Sequence, residues 1–429
     1  MSNELQIDAF LPPKMATRME EVGIKKTQMD ILSTGVLAIL AGAFIATGAI
    51  FATTVSAGSI AVRAADGSMA FSTGLPYGLV RLLSGLVFCL GLIAVVVAGA
   101  ELFTGNNLII MAFASGRVTL AALLRNWGIV YVGNFVGSVL TALLMYLTGQ
   151  FSFGSGSVGL NALNIAHAKC SLGFGQAVAL GIMCNALVCL AVWLCASARS
   201  TTDKILSIIF PITCFVAAGF EHSVANMYFI PVGLFIRSWA PATFWEAIGK
   251  TALDFPNLTW GAFFLRNLLP VTIGNIIGGA GFVGLVYWFV YLRPPKKVKI
   301  EAGVAPRILV VDDDPDYVNL VRAILSRDGY QIAAATNGNE ALQAMEQERP
   351  DLVLLDVMMA TPLEGVGVAQ QMAQDKNLKN IPVIMISSID SSEYAPLLPD
   401  DLHIPADAWI NKPIDPEDLL RKVRRFLVR

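Results

Sequence analysis

The sequence predicts a multidomain protein. An all-α membrane domain of six transmembrane helices, built from inverted three-helix repeats, precedes a soluble α/β domain with a doubly wound sheet. Of the 429 residues, 55% are hydrophobic and only 14% are charged, which is more apolar than a water-soluble protein needs. Acidic residues are sparse before about residue 300 and frequent after it, where alternating strand and helix patterns begin.

Six apolar runs are long enough to cross a bilayer, which takes about 17 to 25 residues. They cover residues 31–56, 79–113, 120–147, 171–197, 205–236 and 263–292. Lysine and arginine gather on one side if the runs alternate in direction, so both ends of the membrane domain are expected in the cytoplasm. The polar segment 1–30 lacks the pattern of a signal peptide and is expected to stay there too.

Two pairs of motifs reveal an internal repeat. AGAELFTGN in the second run matches AGFEHSVAN in the fifth, and RNWGIVYVGNFVG in the third matches RNLLPVTIGNIIG in the sixth. Each repeat holds three runs, so the second copy is inverted in the membrane, as in many transporters and pores. Polar interruptions predict broken second and fifth helices, with breaks at Leu102 to Asn107 and around Glu221 to Asn226.

His222 is the one histidine inside a predicted span. An ionisable side chain at the centre of a span costs about 2.5 to 3.5 kcal/mol, so it is a functional candidate by default. If the following segment is helical, His222 and Asn226 share a face. Histidine exchanges a proton near neutral pH and can discharge a small anion for passage. The structural alternative is a neutral core histidine held by Glu221 or a backbone group.

The sequence alone does not decide the roles of the other candidate residues. Lys169 follows a long uncharged stretch, expected to be a loop, and either reaches back to the membrane interface or points inward to attract anions. Glu221 and its repeat counterpart Glu101 are expected to accept backbone hydrogen bonds at the breaks. Four apolar residues become gate candidates only if the breaks bring them to a pore: Phe88, Leu92, Phe103 and Phe215.

The motifs GAELFTGNN and GFEHSVANMYFIP make residues 15–295 resemble the formate/nitrite transporters. The resemblance implies an aquaporin-like channel for small anions that assembles as a homopentamer with a pore in each protomer. It implies that His222 is the pore histidine, that Thr104 faces it, and that Asn226 and Lys169 shape the electrostatics around the anion. Phe88, Leu92 and Phe215 match apolar constriction positions of formate channels, which favours formate over nitrite, hydrosulfide or short monocarboxylates.

A Pro- and Lys-rich linker, residues 293–306, leads to the soluble domain, residues 307–429. Apolar runs such as RILVV and DLVLL alternate with amphipathic segments in the pattern of a parallel sheet. Working sites of such sheets lie at the carboxyl ends of the strands, and polar residues follow those runs: Asp312, Asp313, Asp356, Ser387 and Lys412. Carboxylates near a lysine indicate Mg²⁺ and phosphate, and one carboxylate can accept a phosphoryl group.

The combination of VVDDD, LLDVMM, MISS and NKP makes this domain resemble response-regulator receivers. The resemblance implies that Asp356 is phosphorylated and that Mg²⁺ is held by Asp312, Asp313, Asp356 and the carbonyl of Met358. It also implies that Ser387 senses the phosphoryl group, that Lys412 pairs with it, and that the Lys412–Pro413 bond is cis. Trp409 stands at a switch position where relatives more often have Tyr or Phe.

These features together predict an anion channel in the inner membrane of a bacterium, with a pore histidine and regulation by its own receiver, phosphorylated by a histidine kinase. We expect no enzymatic activity, no cofactor in the channel and, since the net charge is only −2 without a basic stripe, no nucleic-acid partner. One alternative is an anion-sensing signalling protein. Another is a nitrite or hydrosulfide channel whose receiver is a docking element.

Overall fold

The structure, a computed structural model, describes residues 9–57, 62–63, 69–71, 74–293, 298–299, 305–359, 361, 363–387 and 405–428. The chain divides into two compact units, one ending at Arg293 and the other beginning at Pro294. Most of the expected linker, residues 293–306, lies outside the described residues.

Among its described residues, the first unit has helices and a short antiparallel pairing of β1 (Val62–Arg63) with β2 (Met69–Phe71). Its helices are α1 (Pro12–Gln28), α2 (Ile31–Ala57), α3 (Tyr77–Ala98), α4 (Phe103–Ala114), α5 (Leu120–Leu147), α6 (Ser157–Cys170), α7 (Phe174–Ser197), α8 (Thr201–Ala218), α9 (Ser223–Trp239), α10 (Ala242–Ile248) and α11 (Trp260–Tyr291). Within the described residues, α2, α3, α5, α7, α8 and α11 are long and apolar enough to cross a membrane. The prediction of six transmembrane helices is confirmed.

Both predicted breaks exist, but each lies a few residues earlier than expected. Helix α3 ends at Ala98 with Gly99 at φ 82°, and α8 ends at Ala218 with Gly219 at φ 79°. Glycine tolerates this left-handed conformation and ends the helix there. The backbone is then extended at Leu102 and His222, and the helices begin again, α4 at Phe103 and α9 at Ser223. The expected breaks at Leu102 to Asn107 and Glu221 to Asn226 therefore cover mostly residues that are already helical again.

Two further expectations about local structure were wrong or incomplete. The stretch before Lys169 was expected to be a loop, but most of it forms α6, whose buried face carries Leu160 and Leu163. The N-terminal segment contains α1, with Pro at its start, where a missing N–H costs nothing. Helix α1 packs Met15 and Met19 into a cluster with Trp193 of α7.

Close helix packing explains the glycines that follow each repeated asparagine. A Cβ at Gly137 of α5 would overlap the carbonyl oxygen of Ile39 in α2, and a Cβ at Gly278 of α11 would overlap that of Ile182 in α7. Small residues let helix backbones approach in lipid. The two contacts are the same contact made once in each repeat, which brings α5 and α11 against the breaks.

The second unit is an α/β domain. Its five-stranded parallel sheet is formed by β4 (Arg307–Val311), β5 (Gln331–Ala335), β6 (Leu352–Asp356), β7 (Val383–Ser387) and β8 (Ala408–Asn411), in the order β5-β4-β6-β7-β8. Its described helices are α12 (Pro315–Arg327), α13 (Gly338–Gln347), α14 (Glu364–Gln374) and α15 (Pro416–Phe426). Outside this sheet, β3 (Val298–Lys299) pairs in parallel with β9 (Leu427–Val428).

Apolar clusters on both faces of this sheet show why the strands are continuous apolar runs. One cluster joins Val353 and Leu355 to α13 and α14, and the other joins Val310 and Leu354 to α12 and α15. Parallel strands buried on both faces need apolar residues at consecutive positions. The doubly wound α/β fold predicted for this domain is confirmed.

Candidate functional site

His222 and Thr104 meet where the two broken helices restart. His222 Nε2 lies 3.0 Å from Thr104 Oγ1, and both residues are almost fully buried. His222 is the residue just before α9, and Thr104 is the second residue of α4. The contact therefore joins the two repeats at the N-terminal ends of two half-helices.

The hydrogen bonds of His222 determine which ring nitrogen carries the proton. Its Nδ1 accepts from the backbone N–H of Ala225 at 3.1 Å, which caps α9. An accepting Nδ1 is unprotonated, so in the neutral ring Nε2 carries the hydrogen and donates to Thr104 Oγ1. The Thr104 hydroxyl then keeps its own hydrogen for a further partner. A backbone group thus holds the histidine, as the structural alternative required, while the second nitrogen remains turned to Thr104.

Two asparagines, one in each repeat, hold the breaks. Asn275 Oδ1 accepts from Ser223 N at 2.9 Å, and its Nδ2 donates to the carbonyl oxygens of Gly181 and Glu221 at 2.8 and 3.0 Å. Asn134 makes the equivalent bonds with Phe103 N and with the carbonyls of Ala38 and Glu101. Each asparagine satisfies backbone groups that the interrupted helix leaves without partners. This explains the G-N pair of the repeated motif.

A buried charge network lies beside the second break. Lys169 Nζ is 2.8 Å from Glu221 Oε1, while Asn226 Nδ2 donates to Glu221 Oε2 at 2.7 Å. Asn267 donates to the same carboxylate and to the carbonyl of Lys169. The Lys169 side chain points inward to the acid, with its ammonium 5.4 Å from the ring centroid of Phe229.

The first repeat contains the same network with different helices. Lys26 Nζ of α1 is 2.5 Å from Glu101 Oε1, and Asn106 Nδ2 donates to Glu101 Oε2 at 2.7 Å. Asn126 binds Asn106 and the carbonyl of Lys26. Helices α1 and α6 thus correspond to each other, and each delivers a lysine from its last turn. The repeat is therefore longer than the three spans seen in the sequence.

These networks correct two expectations. The carboxylates of Glu101 and Glu221 were expected to accept backbone hydrogen bonds, but they accept from lysine and asparagine side chains, because Asn134 and Asn275 already serve the backbone. Asn226 was expected to share a helix face with His222, but α9 begins only at Ser223. The Asn226 side chain turns instead to Glu221.

Aromatic rings pack around the histidine. The Phe215 ring is stacked near His222 with centroids 5.9 Å apart, and Phe88 meets Phe215 edge-on at 5.6 Å. Phe229, which the sequence analysis did not single out, packs on Phe88 at 6.4 Å. Phe103 behaves differently, because its ring contacts Tyr131 and Trp127 of α5.

Leu92 faces a different space, one helical turn beyond Phe88 along α3. A cavity of about 410 Å³ lies between α1, α4 and the ends of α3 and α7. Leu92, Leu102 and Gly105 line it, together with the cationic side chains Arg18, Lys26 and Lys204. Gly105 directly follows Thr104, so the cavity reaches the helix that carries the His222 partner.

The second unit brings its predicted polar residues together at the carboxyl ends of β4, β6 and β8. Carboxylate oxygens of Asp312, Asp313 and Asp356 all lie within 4.8 Å of one another. Lys412 Nζ donates to Asp312 Oδ2 and Asp356 Oδ2 at 2.7 Å each. Burial raises the pKa of Asp356 against the opposing effect of Lys412. Burial lowers the pKa of Lys412, but its two bonds to carboxylates outweigh this and leave that pKa raised.

The remaining predicted residues surround this cluster. Ser387 is buried at the end of β7, and its carbonyl accepts from Lys412 N at 2.7 Å. Met358 N donates to Asp356 Oδ1 at 3.3 Å. Trp409 is 42% exposed, and the Lys412–Pro413 bond is cis, as expected. Asp314 caps α12 by accepting from Asp316 N and Tyr317 N.

The family model for formate/nitrite transporters matches residues 13–289. The chain belongs to the formate/nitrite transporter family. A second family model, for the response-regulator receiver domain, matches residues 308–424. This member of the formate/nitrite transporter family is therefore a multi-pass membrane protein that carries a receiver domain at its C-terminal end.

Relatives within the formate/nitrite transporter family include named formate channels. The formate channel FocA of Escherichia coli (strain K12) is 46% identical over 293 residues, which cover 68% of this chain and 98% of that protein. The formate channel FocA of Haemophilus influenzae is 38% identical and covers 66% of this chain and 95% of that protein. A solved pentameric formate channel with formate bound has 44% identity and a TM-score of 0.56, covering 61% of this chain and 98% of that chain.

Sequence reasoning missed the residues that complete each network. Lys26, Asn126, Asn267 and Phe229 were not singled out, although Asn126 and Asn267 occupy the R-N positions of the repeated motif. The sequence showed that Asn126 and Asn267 are equivalent, but it did not show which residues they contact. Lys26 had no visible signal, because its contact with Glu101 joins residues 75 positions apart.

Proposed function

We propose that the protein is a transmembrane channel for small monovalent anions, with formate the favoured substrate, and that its receiver domain regulates transport. The contact between His222 and Thr104 carries the proposal for the pore. It places one hydroxyl hydrogen, left over after the histidine has donated, at the junction of two half-helices. The named relatives, which are formate channels at 38% to 46% identity, support the choice of anion.

Helix ends make this junction attractive to an anion. The N-terminus of an α-helix carries a partial positive charge and backbone N–H groups without helical partners. Helices α4 and α9 begin at Phe103 and Ser223, on either side of the His222–Thr104 contact. A carboxylate oxygen that accepts from the Thr104 hydroxyl there meets favourable dipoles from both repeats. This supports a role for Thr104 and His222 in substrate contact.

The cap of α9 limits how His222 handles protons. The ring can release a proton from Nε2 only after Nδ1 has also been protonated, and that costs the bond to Ala225 N. Loss of a helix cap costs about 0.5 to 2 kcal/mol. Protonation of Nδ1 is unfavourable by about that amount, but it can occur transiently. We infer that His222 acts in the neutral state mainly by polarising the Thr104 hydroxyl. For proton transfer the cap is briefly released and Nδ1 takes a proton from water. Nε2 then passes its hydrogen to Thr104 Oγ1, and the Thr104 hydroxyl hydrogen moves to the anion.

Apolar rings around the junction favour an anion that is small and transiently discharged. Phe88, Phe215 and Phe229 offer no hydrogen bonds to replace the water that a charged anion must shed. Lys169, beside Phe229, is neutralised by Glu221 in the ground state. The pair has no net charge, so it acts on the anion through its dipole, whose positive end is the Lys169 ammonium beside Phe229. Lys26 and Glu101 play the equivalent part beside the cavity, where Leu92 is an apolar boundary.

In the receiver domain, Asp356 is the proposed phosphorylation site. An Asp356 carboxylate oxygen attacks the phosphorus of a donor, the bond from phosphorus to the leaving group breaks, and the leaving group departs with the electron pair. Lys412 moves its ammonium from the two carboxylates to the new phosphoryl oxygens. Ser387, at the end of the neighbouring strand β7, is the residue proposed to sense the phosphoryl group. Trp409, exposed on β8, is the proposed reporter of that movement.

The three carboxylates Asp312, Asp313 and Asp356 fit Mg²⁺, which prefers carboxylate oxygens and retained waters. The Met358 carbonyl is the further oxygen we propose for it. When bound, the ion neutralises charge on the transferred phosphoryl group. A histidine kinase is the proposed donor.

Assembly and location follow from the same relationship. The solved relative is pentameric, and we propose a homopentamer in the inner bacterial membrane with both termini in the cytoplasm. The charge bias of the loops supports this orientation.

Flux through the purified protein in liposomes tests the pore proposal. Formate, nitrite, hydrosulfide and chloride are compared at equal gradients, with protein-free liposomes as the control. We expect formate to pass fastest. Formate flux no greater than in protein-free liposomes would overturn the proposal, and faster nitrite than formate flux would overturn the choice of substrate.

A further inference from the structure

A tyrosine hydroxyl in the receiver domain is buried without a partner. Tyr317 lies in the first turn of α12, and its Oη has no hydrogen-bond partner among the described residues. Burying a hydroxyl without a partner is unfavourable. Buried polar atoms without partners are rare enough that each needs an explanation, such as a bound group absent from the resting state.

The surroundings of Tyr317 identify that group. Lys412 Nζ lies 4.1 Å from the centroid of the Tyr317 ring, and the same ammonium donates to Asp312 and Asp356. The ring is thus separated from the phosphoacceptor by one side chain. Burial, followed by the negative charges of Asp312 and Asp356, raises the pKa of Tyr317. Its hydroxyl therefore keeps its proton and remains a donor.

We propose that Tyr317 Oη donates a hydrogen bond to a phosphoryl oxygen once Asp356 is phosphorylated, and that this bond prolongs the life of the phosphorylated state. The inference rests on the proposed phosphorylation of Asp356. Three phosphoryl oxygens are strong acceptors next to Lys412, where the resting site offers the hydroxyl none.

Hydrolysis is the step that the hydroxyl slows. Water attacks phosphorus, the bond from phosphorus to the Asp356 oxygen breaks, and the carboxylate is regenerated with the bond's electron pair. The proton of the water passes to solvent and inorganic phosphate leaves. A loose, metaphosphate-like transition state carries less charge on the phosphoryl oxygens than the ground state. A donor to those oxygens therefore stabilises the acyl phosphate more than the transition state of its hydrolysis, and the hydrolysis becomes slower.

The test compares the Tyr317→Phe variant with the wild type, both as full-length protein in detergent. Both are labelled with ³²P-acetyl phosphate and Mg²⁺, freed of donor, and followed for loss of label. Tyr330→Phe is the matched control, because Tyr330 is buried beyond the opposite end of the same helix. We expect Tyr317→Phe to lose label about tenfold faster, the effect of one charge-assisted hydrogen bond, and Tyr330→Phe to match the wild type.

A second readout separates phosphoryl binding from hydrolysis. Beryllofluoride mimics the phosphoryl group without reacting, so the concentration that blocks ³²P incorporation reports its affinity. We expect Tyr317→Phe to need about tenfold more. Equal lifetimes and equal beryllofluoride concentrations in all three proteins would overturn the role of Tyr317. No ³²P on the wild-type protein would overturn the proposed phosphorylation itself.

Discussion

The hydroxyl of Thr104 is the smallest feature on which the proposed transport depends. It accepts from His222 Nε2 and has its own hydrogen to offer to an anion. Thr104→Val keeps the shape and removes the hydroxyl, so we expect formate flux to fall about tenfold, the equivalent of one hydrogen bond. Thr104→Ser, which keeps the hydroxyl, is the control and should retain most of the flux. Equal flux in liposomes from Thr104→Val and Thr104→Ser would contradict this role.

His222 differs from its repeat counterpart Leu102, which makes no side-chain cap. His222→Asn tests what the ring contributes, because asparagine is a good cap that does not titrate. We expect the variant to fold and assemble normally but to lose the histidine's contribution to the pH dependence of formate uptake, because asparagine cannot take up or release a proton. The measurement is initial uptake in liposomes at a series of pH values. Unchanged pH dependence would reduce His222 to a capping residue.

Removing only one partner of the Lys169–Glu221 pair is expected to lower the stability of the protein. Lys169→Met leaves a buried carboxylate unpaired, which costs about 3 to 5 kcal/mol. Adding Glu221→Gln removes that charge while keeping an acceptor for Asn226. We expect thermal unfolding of the purified protein to show a large loss in the single variant and a partial recovery in the double variant. A double variant less stable than Lys169→Met would contradict the pairing.

At the scale of elements, the breaks depend on asparagines from a neighbouring helix rather than on local sequence alone. Asn275→Ala leaves Ser223 N and the Glu221 carbonyl without partners, which costs about 1 to 3 kcal/mol. We expect a lower unfolding temperature and reduced flux. Asn164→Ala, at an exposed position of α6, should leave both unchanged. A variant of Asn275 as stable as that of Asn164 would show that the breaks hold without it.

The sequence predicted these elements unevenly, and the reason is physical. Motif repetition identified Gly99 with Gly219 and Asn134 with Asn275, because each pair does the same job in both copies. It placed the breaks too late, because polar residues such as Asn106 and Asn226 looked like interruptions of a helix. They are helical residues whose side chains serve Glu101 and Glu221. Polar residues within a span thus indicated the buried charge network and not the position of the helix break.

Helices α1 and α6 escaped prediction for a related reason. Neither has an apolar run of membrane length, and α6 follows a glycine- and serine-rich stretch that is typical of a loop. Each of these helices contributes one contact between residues far apart in the sequence, Lys26 with Glu101 and Lys169 with Glu221. No local pattern encodes such a contact. In the receiver domain the opposite holds, because each strand end is local and all of them meet at one edge of the sheet.

For the whole molecule, the fusion of a channel and a receiver raises the question of what the receiver controls. A signalling protein would use the pore to sense an anion and would need no change in flux on phosphorylation. A docking element would leave flux unchanged when residues 300–429 are deleted. The intact cluster of Asp312, Asp313, Asp356 and Lys412 supports a receiver that still accepts a phosphoryl group. This favours a phosphorylated receiver over a mere docking element, and a measurement of flux separates regulation of transport from signalling.

Formate flux through the purified full-length protein in liposomes, measured with and without a phosphodonor and Mg²⁺ on the receiver side, tests the central claim most directly. We expect phosphorylation to change the flux of the wild-type protein, and we expect Asp356→Ala to transport formate without responding to the donor. Equal flux from the wild type with and without the donor, despite confirmed labelling of Asp356, would contradict regulation of this channel by its own receiver.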